Sequence, residues 1–135
     1  GLHVSTHFFI RRTGEVIQYV PTVKRAWHAG LSNFRGRNAC NDFSVGIELE
    51  GTGEVPFTAV QYQALGELLP AICRRHPVKW VTGHEFIAPG RKSDPGPFFD
   101  WGRTAQLLPA GVALAIDETD CDREALARRM AEHSN

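Results

Sequence analysis

A chain of 135 residues and 15.0 kDa is one domain's worth of polypeptide, with the 42% hydrophobic and 22% charged residues usual for a soluble globular fold. Fifteen basic and fifteen acidic side chains cancel, which excludes the basic excess of a dedicated nucleic-acid binder and the polybasic patch of a membrane-surface protein. No apolar run approaches the roughly 20 residues needed to span a bilayer, and eight Phe and three Trp argue against disorder.

Val4 to Ile10 and Val16 to Val20 are rich in β-branched and aromatic residues and flank a turn at Arg12-Thr13-Gly14-Glu15, the pattern of a β-hairpin. Pro21 ends the second strand because it has no N–H to donate. Lys24 to Asn41 lacks periodicity and reads as a long loop, a feature often tied to function in compact domains. Phe43 to Leu49 reads as a buried central strand, with Phe43, Val45, Ile47 and Leu49 on one face and Ser44, Gly46, Glu48 and Glu50 on the other.

Thr58 followed by Gln61 is a capping-box signature, and Tyr62, Leu65, Leu69 and Ile72 then keep helical spacing up to Arg75. Pro70 should kink or split this helix, since an interior proline costs about 3 kcal/mol. Lys79 to Thr82 is a short strand, and Glu85 to Pro97 reads as an irregular loop. Asp100 can cap a short helix ending near Leu108, and Pro109-Ala110-Gly111 breaks it. The expected organisation is an α/β domain over residues 1–110, a mixed central sheet flanked by helices, followed by a tail over 111–135 that forms a surface helix or is partly disordered. Cys40, Cys73 and Cys121 are odd in number and lack CxxC spacing, so a reducing compartment is expected.

Chemistry concentrates in Thr82 to Pro97. His84 follows a strand, Asp94 lies on a Pro/Gly-stiffened loop, and an imidazole and a carboxylate are both zinc ligands. Lys92 could set a cation beside a metal-bound substrate and stabilise an oxyanion. Spacing alone favours a plainer pattern, with a strand-end histidine bonded to backbone, a turn-forming aspartate before Pro95 and a solvated lysine. Glu48 is a carboxylate on a buried-looking strand, with Glu50 on the same face to raise its pKa toward that of a general base. Pairing with Arg25 or Arg37, or a face turned to water, accounts for Glu48 equally well. In Trp27-His28 the indole suits stacking on a sugar or acyl group, or pinning the loop to the core.

The strings VSTH, RRTGEVIQYVP, KRAWHAG, CNDFSVGIELEGT and TGHEFIAPGRKSDPGPFFDW, in this order, resemble the AmpD-type 1,6-anhydro-N-acetylmuramyl-L-alanine amidases. These belong to a zinc amidase group shared with phage lysozyme-type amidases and peptidoglycan recognition proteins. The resemblance runs from Val4 to Trp101 and implies a peptidoglycan-recognition/amidase-like fold. It implies His84 and Asp94 as two of three zinc ligands, Glu48 as the base that activates water, Lys92 as the stabiliser of the tetrahedral intermediate, and Trp27 as an aromatic beside the substrate.

The implied reaction is hydrolysis of the amide between (1,6-anhydro-)N-acetylmuramic acid and L-alanine in peptidoglycan fragments, in cytoplasmic cell-wall recycling. Its partner is a muropeptide, with no nucleic acid, membrane or obligate protein partner expected. The family's first zinc-ligand histidine, on an N-terminal strand preceding the segment that matches Val4, has no counterpart here, so a strand edge should be exposed. His7 and His3 are the remaining candidates for that ligand, both poor ones, because the family keeps a histidine at the position of His7 without using it. A non-catalytic muropeptide-binding module or a truncated inactive fragment is the alternative.

Overall fold

The Arg11–Glu15 turn closes on itself. The Arg11 N–H donates to the Glu15 carbonyl at 2.8 Å and the Gly14 N–H to the Arg11 carbonyl at 2.8 Å, with Gly14 at φ +88°, where a side chain would be strained. In this computed structural model, which describes residues 5–134, strands β1 (Phe8–Ile10) and β2 (Val16–Gln18) pair antiparallel across that turn as expected. The start of the expected strand at Val4, and His3, lie outside the described residues.

Strand β5 (Ile47–Leu49) pairs parallel with β1, Phe8 opposite Ile47 and Ile10 opposite Leu49, giving the order β2-β1-β5. The expected central position of this strand is therefore corrected: β1 is central, β5 is an edge, and its side chains are half-buried. The strand is also shorter than read: Ile47 and Leu49 pack on the core with Glu48 on the other face, whereas Phe43 follows the 3₁₀ turn and packs on a separate cluster with Cys40 and Ile87.

Helix α1 (Ala59–Arg75) begins at the Thr58–Gln61 capping box. Gln61 does more than cap. Its buried amide donates to the carbonyls of Ile10 at 3.2 Å and Glu50 at 2.9 Å, tying helix to sheet. Tyr62, Leu65, Leu69 and Ile72 are buried, and the first three join Ile10 and Phe99 in the main core cluster. Ile10 is fully buried at the centre of the sheet, so Ile10→Ala is expected to cost about 2–5 kcal/mol in urea denaturation. Pro70 does not split α1, because buried Leu69 and Ile72 hold the helix on both sides of it and packing outweighs the lost hydrogen bond.

The stretch read as one loop from Lys24 to Asn41 contains a two-stranded ribbon, β3 (Asn33–Phe34) and β4 (Arg37–Asn38), and a 3₁₀ turn at Cys40–Asp42. Side-chain hydrogen bonds make the ribbon: buried Asn33 accepts from the N–H groups of Gly36 at 3.1 Å and Asp122 at 2.8 Å. Strand β6 (Trp80–Val81) leads into one helical turn, α2 (His84–Ile87), where irregular structure was expected. Asp100 caps α3 (Trp101–Ala105) by accepting from the Arg103 N–H.

Beyond residue 110 the chain forms β7 (Ala113–Leu114), parallel to β6, a 3₁₀ turn at Glu118–Asp120, and α4 (Arg123–Ser134). Leu126 and Ala125 are buried and Met130 is exposed. Buried Asp120 takes an ion pair from Arg35 at 3.0 Å, and the Arg35 guanidinium lies 3.8 Å from the centre of the Trp80 ring. This segment therefore braces the ribbon that carries the long loop.

Strand β5 has no hydrogen-bonded neighbour on its outer side among the described strands, the exposed edge anticipated above. A cavity of about 1240 Å³ lies against it, walled also by β6 and by Leu65, Leu69 and Ile72 of α1. Glu48, His84 and Asp94 line the same cavity.

Candidate metal centre

Three elements deliver the site. Glu48 comes from the middle of β5, His84 opens α2 directly after β6, and Asp94 comes from the following loop. The loop folds back because Glu85, the neighbour of His84, holds it twice. The Glu85 N–H donates to the Asp94 carbonyl at 2.9 Å, and the Glu85 carboxylate accepts from the Gly96 N–H at 3.2 Å. The Gly83 backbone is packed closely here, since a Cβ on it would lie 2.7 Å from the Pro95 ring.

His84 Nδ1 sits 2.7 Å from Asp94 Oδ2 and 3.6 Å from Glu48 Oε1. One ligand atom from each of the three residues lies within 4.8 Å of the others. The imidazole is buried and the carboxylates are partly exposed. Two carboxylates and an imidazole nitrogen aimed at one another are acceptors without a donor unless a proton or a cation stands among them. That set fits a divalent cation with nitrogen and oxygen ligands.

Glu48 has its pKa raised, by burial first and then by the negative charge of Asp94, against the pull of His84 and Lys92. The expected source, Glu50, is engaged elsewhere and accepts from the Arg12 N–H at 2.9 Å. Arg25 pairs with Asp42 at 2.8 Å and Arg37 stacks on Phe43 at 3.9 Å, so each of the arginines proposed for Glu48 has another partner. Burial pushes Asp94 up, but the hydrogen bond and charge of His84 outweigh it, and the carboxyl ends below its ordinary value. Lys92 is half-buried two residues before Asp94, and its ammonium acts on the charges of Glu48, Asp94 and His28.

Trp27 is not brought into this cluster. The residue is 43% exposed and lies off the cavity wall, and the Arg25 guanidinium sits 5.1 Å from the centre of its ring. The next residue, His28, is the one that reaches the site. It is buried, its Nδ1 lies 3.0 Å from His84 Nε2 and its Nε2 2.9 Å from Ser44 Oγ. Sequence reasoning passed over it in favour of the indole beside it. Gly46, just before β5, makes room for the imidazole, since a Cβ there would stand 2.5 Å from the His28 ring, a fit that only the folded chain reveals. The Arg91 guanidinium bonds the carbonyls of Ala29 and Leu31 and so clamps the loop of His28 to the loop of Lys92 and Asp94.

His7 is not available as a ligand. It is fully buried, its Nδ1 accepts from the Gly46 N–H at 3.0 Å, and its Nε2 contacts the Lys24 carbonyl at 2.7 Å. Both nitrogens hold backbone together.

Burial, helped by His84, His7 and Lys92, depresses His28 to a pKa of about 3. The unfolded chain binds a proton here near pH 6.5 that the folded chain refuses, so stability is present above that pH and falls with acidification. Asp94, also depressed, acts in the same direction as pH falls through its folded value. Glu48, raised, acts oppositely just above its ordinary value. Urea melts of the metal-free protein are expected to lose stability on acidification below about pH 6, with a slope from His28 of at most about 1.4 kcal/mol per pH unit. His28→Leu should flatten that slope.

Comparison with known proteins now bears on this geometry. Residues 1–97 match the N-acetylmuramoyl-L-alanine amidase family. The chain is 57% identical over 109 residues to the 1,6-anhydro-N-acetylmuramyl-L-alanine amidase AmpD of Escherichia coli, a match spanning 79% of this chain and 60% of that protein. A crystal structure of a selenomethionine AmpD derivative superposes with a TM-score of 0.76 at 55% identity, over 78% of this chain and 60% of the other. The amidase AmiD of E. coli, solved with the substrate anhydro-N-acetylmuramic acid-L-Ala-D-γ-Glu-L-Lys, superposes with a TM-score of 0.71 at 39% identity, over 82% of this chain and 49% of the other. The match thus spans about 60% of the length of these AmpD relatives. With the family match extending over most of the chain and its solved members sharing this mixed α/β fold, the chain belongs to the N-acetylmuramoyl-L-alanine amidase family.

Proposed function

We propose that the chain carries the catalytic machinery of a zinc amidase that hydrolyses the bond between (1,6-anhydro-)N-acetylmuramic acid and L-alanine in peptidoglycan fragments. The observation behind this reading is the convergence of His84 Nδ1, Asp94 and Glu48 on one point of a large open cavity, with the charge of Lys92 beside them. His84 and Asp94 are the ligands in this reading. A neutral imidazole and a carboxylate with a third protein ligand make a catalytic zinc site that keeps a position open. The edge of β5 beside this cavity, unpaired among the described strands, is free to take a further strand, and the family resemblance calls for one that bears a histidine.

When bound, zinc supplies Lewis acidity, polarising the amide carbonyl and making water a competent nucleophile near neutral pH. Glu48 takes the proton of the attacking water and hands it to the departing alanine nitrogen. A carboxylate whose pKa is lifted by burial holds that proton better than an exposed one would. Lys92 faces the negative charge that grows on the carbonyl oxygen. Trp27, with Arg25 above its ring, offers an aromatic plane next to His28 for the sugar or acyl part of the substrate. A binding module that only holds muropeptide has no use for Glu48 set against the ligands, and this favours hydrolysis.

Residues 1–110 form the amidase unit in this reading and 111–135 an appended brace. No helix among the described residues is long and apolar enough to cross a membrane. Three free thiols accord with a reducing, cytoplasmic setting for cell-wall recycling.

The test uses zinc analysis and release of the L-alanyl amine from an anhydromuramyl peptide. The 135-residue chain alone should retain zinc weakly. Joined upstream to a strand segment that carries a histidine, it should hold one zinc per chain and release peptide. A zinc-loaded fusion that leaves the peptide intact would overturn the reading.

A further inference from the structure

Ser44 has one hydroxyl proton, and its shortest contact is to the Cys40 carbonyl, at 2.6 Å. A carbonyl can only accept, so the proton lies on that bond. Ser44 Oγ then faces His28 Nε2 at 2.9 Å with only lone pairs to offer, and Nε2 must carry the hydrogen. His28 is buried against a second imidazole and touches no carboxylate, so a second, charging proton on its ring is disfavoured and Nδ1 is bare. At 3.0 Å from that bare nitrogen, His84 Nε2 must be the donor. Nδ1 is then the nitrogen left for the metal side: without a cation it is hydrogen-bonded to Asp94 at 2.7 Å, and a cation that displaces the proton of that bond meets its lone pair.

We infer that His28 and Ser44 are positioning residues, a relay anchored on the Cys40 carbonyl that fixes the tautomer and ring orientation of His84 so that its Nδ1 lone pair is presented to the cation. The direction of every hydrogen bond in the chain follows from the carbonyl at its far end. Each link is short-range and at least half-buried, so water does not reset the order easily. Gly46 supports the relay sterically, because any side chain there would displace the His28 ring. Arg91 supports it from the other loop through the carbonyls of Ala29 and Leu31. Partners of this kind, bonded to the far nitrogen of a metal-binding histidine, raise ligand basicity and cut the entropy of ordering the ring.

The inference rests on the amidase reading only in taking His84 Nδ1 as a ligand, and its first test needs neither metal nor substrate. Long-range ¹H–¹⁵N correlation spectra of the metal-free 135-residue protein, recorded at about pH 8 where an ordinary imidazole is neutral, report which nitrogen of each ring is protonated. His28 should show a protonated Nε2 and a bare Nδ1. The opposite tautomer overturns the relay, even in a fully active amidase. Ser44→Ala should lower the Nε2-protonated fraction of His28, and an unchanged fraction also overturns it.

The second test is zinc affinity by competition with a chromophoric chelator. Ser44→Ala and His28→Leu should weaken binding about tenfold or more, while His28→Asn, whose amide oxygen can stand where Nδ1 stands, should stay within about threefold of the parent. Equal losses for Asn and Leu would reduce His28 to a space-filler and sink the proposal. Should His28→Leu fail to fold, Ser44→Ala, which removes one half-buried hydroxyl, still decides it.

Discussion

Glu48→Ala, made in the fusion expected to hold one zinc per chain, is expected to lower turnover about 10²–10⁴-fold while zinc stays bound. The two halves of that outcome come from different distances. Asp94 Oδ2 lies 2.7 Å from His84 Nδ1, whereas the nearer Glu48 oxygen is 3.6 Å away, so Glu48 faces the ligand pair without being hydrogen-bonded into it. Its carboxylate is only about one-third exposed and has its pKa lifted by burial, which makes it a stronger proton acceptor than an exposed glutamate. Glu48→Gln should lose activity to a similar extent, since the amide keeps the shape and cannot take a proton. The measurement is amine release alongside metal content in the same samples. If Glu48→Ala sheds zinc as readily as a ligand variant, Glu48 is a ligand and the base must be sought elsewhere. Near-normal rates would remove it from the chemistry altogether.

How far the sequence revealed this site depended on what carried each residue's information. Glu48, His84 and Asp94 stood out by residue type and position, but spacing alone left plainer readings open, and it was the family motifs that gave them roles. Hairpin β1–β2 and the Thr58 cap were legible because turn chemistry and capping are local. The edge position of β5 was not, since alternation tells which face is buried and says nothing of how many neighbours a strand has. Strand β6, two residues long, was legible only because Lys79 to Thr82 is bounded by turn residues. Strands β3, β4 and β7 are equally short, too short for any period, and the β3–β4 ribbon is fixed in part by a bond across 89 positions, from the Asp122 N–H to the Asn33 side chain. His28 was hidden for the same reason. Its value lies in two contacts, to His84 and Ser44, that exist only once the long loop is clamped against β5.

In the fusion expected to hold one zinc per chain, Asp94→Asn is expected to abolish stoichiometric zinc binding, weakening affinity by more than about 100-fold, in a protein that still folds. The loop that carries Asp94 does not depend on its carboxylate. It is held by the Asp94 backbone carbonyl, which accepts from the Glu85 N–H at 2.9 Å, and by the Glu85 side chain bonded to Gly96. An asparagine keeps that backbone bond, fits the same volume and loses only the charge. What the charge does is visible in the depressed pKa of Asp94, where its bond to His84 more than cancels the burial of the group. A neutral amide oxygen is a much poorer zinc ligand than a carboxylate, and outer-shell changes alone already cost about 10–100-fold in metal affinity. His84→Ala should be at least as damaging to zinc, and also strands the bare nitrogen of His28 in a buried site, so it should melt lower than Asp94→Asn. Metal analysis after dialysis against chelator, paired with thermal melts of the apo proteins, separates the two effects. Stoichiometric zinc in Asp94→Asn would mean that the cation is held by Glu48 and His84, and the division of labour between the two carboxylates would have to be reversed.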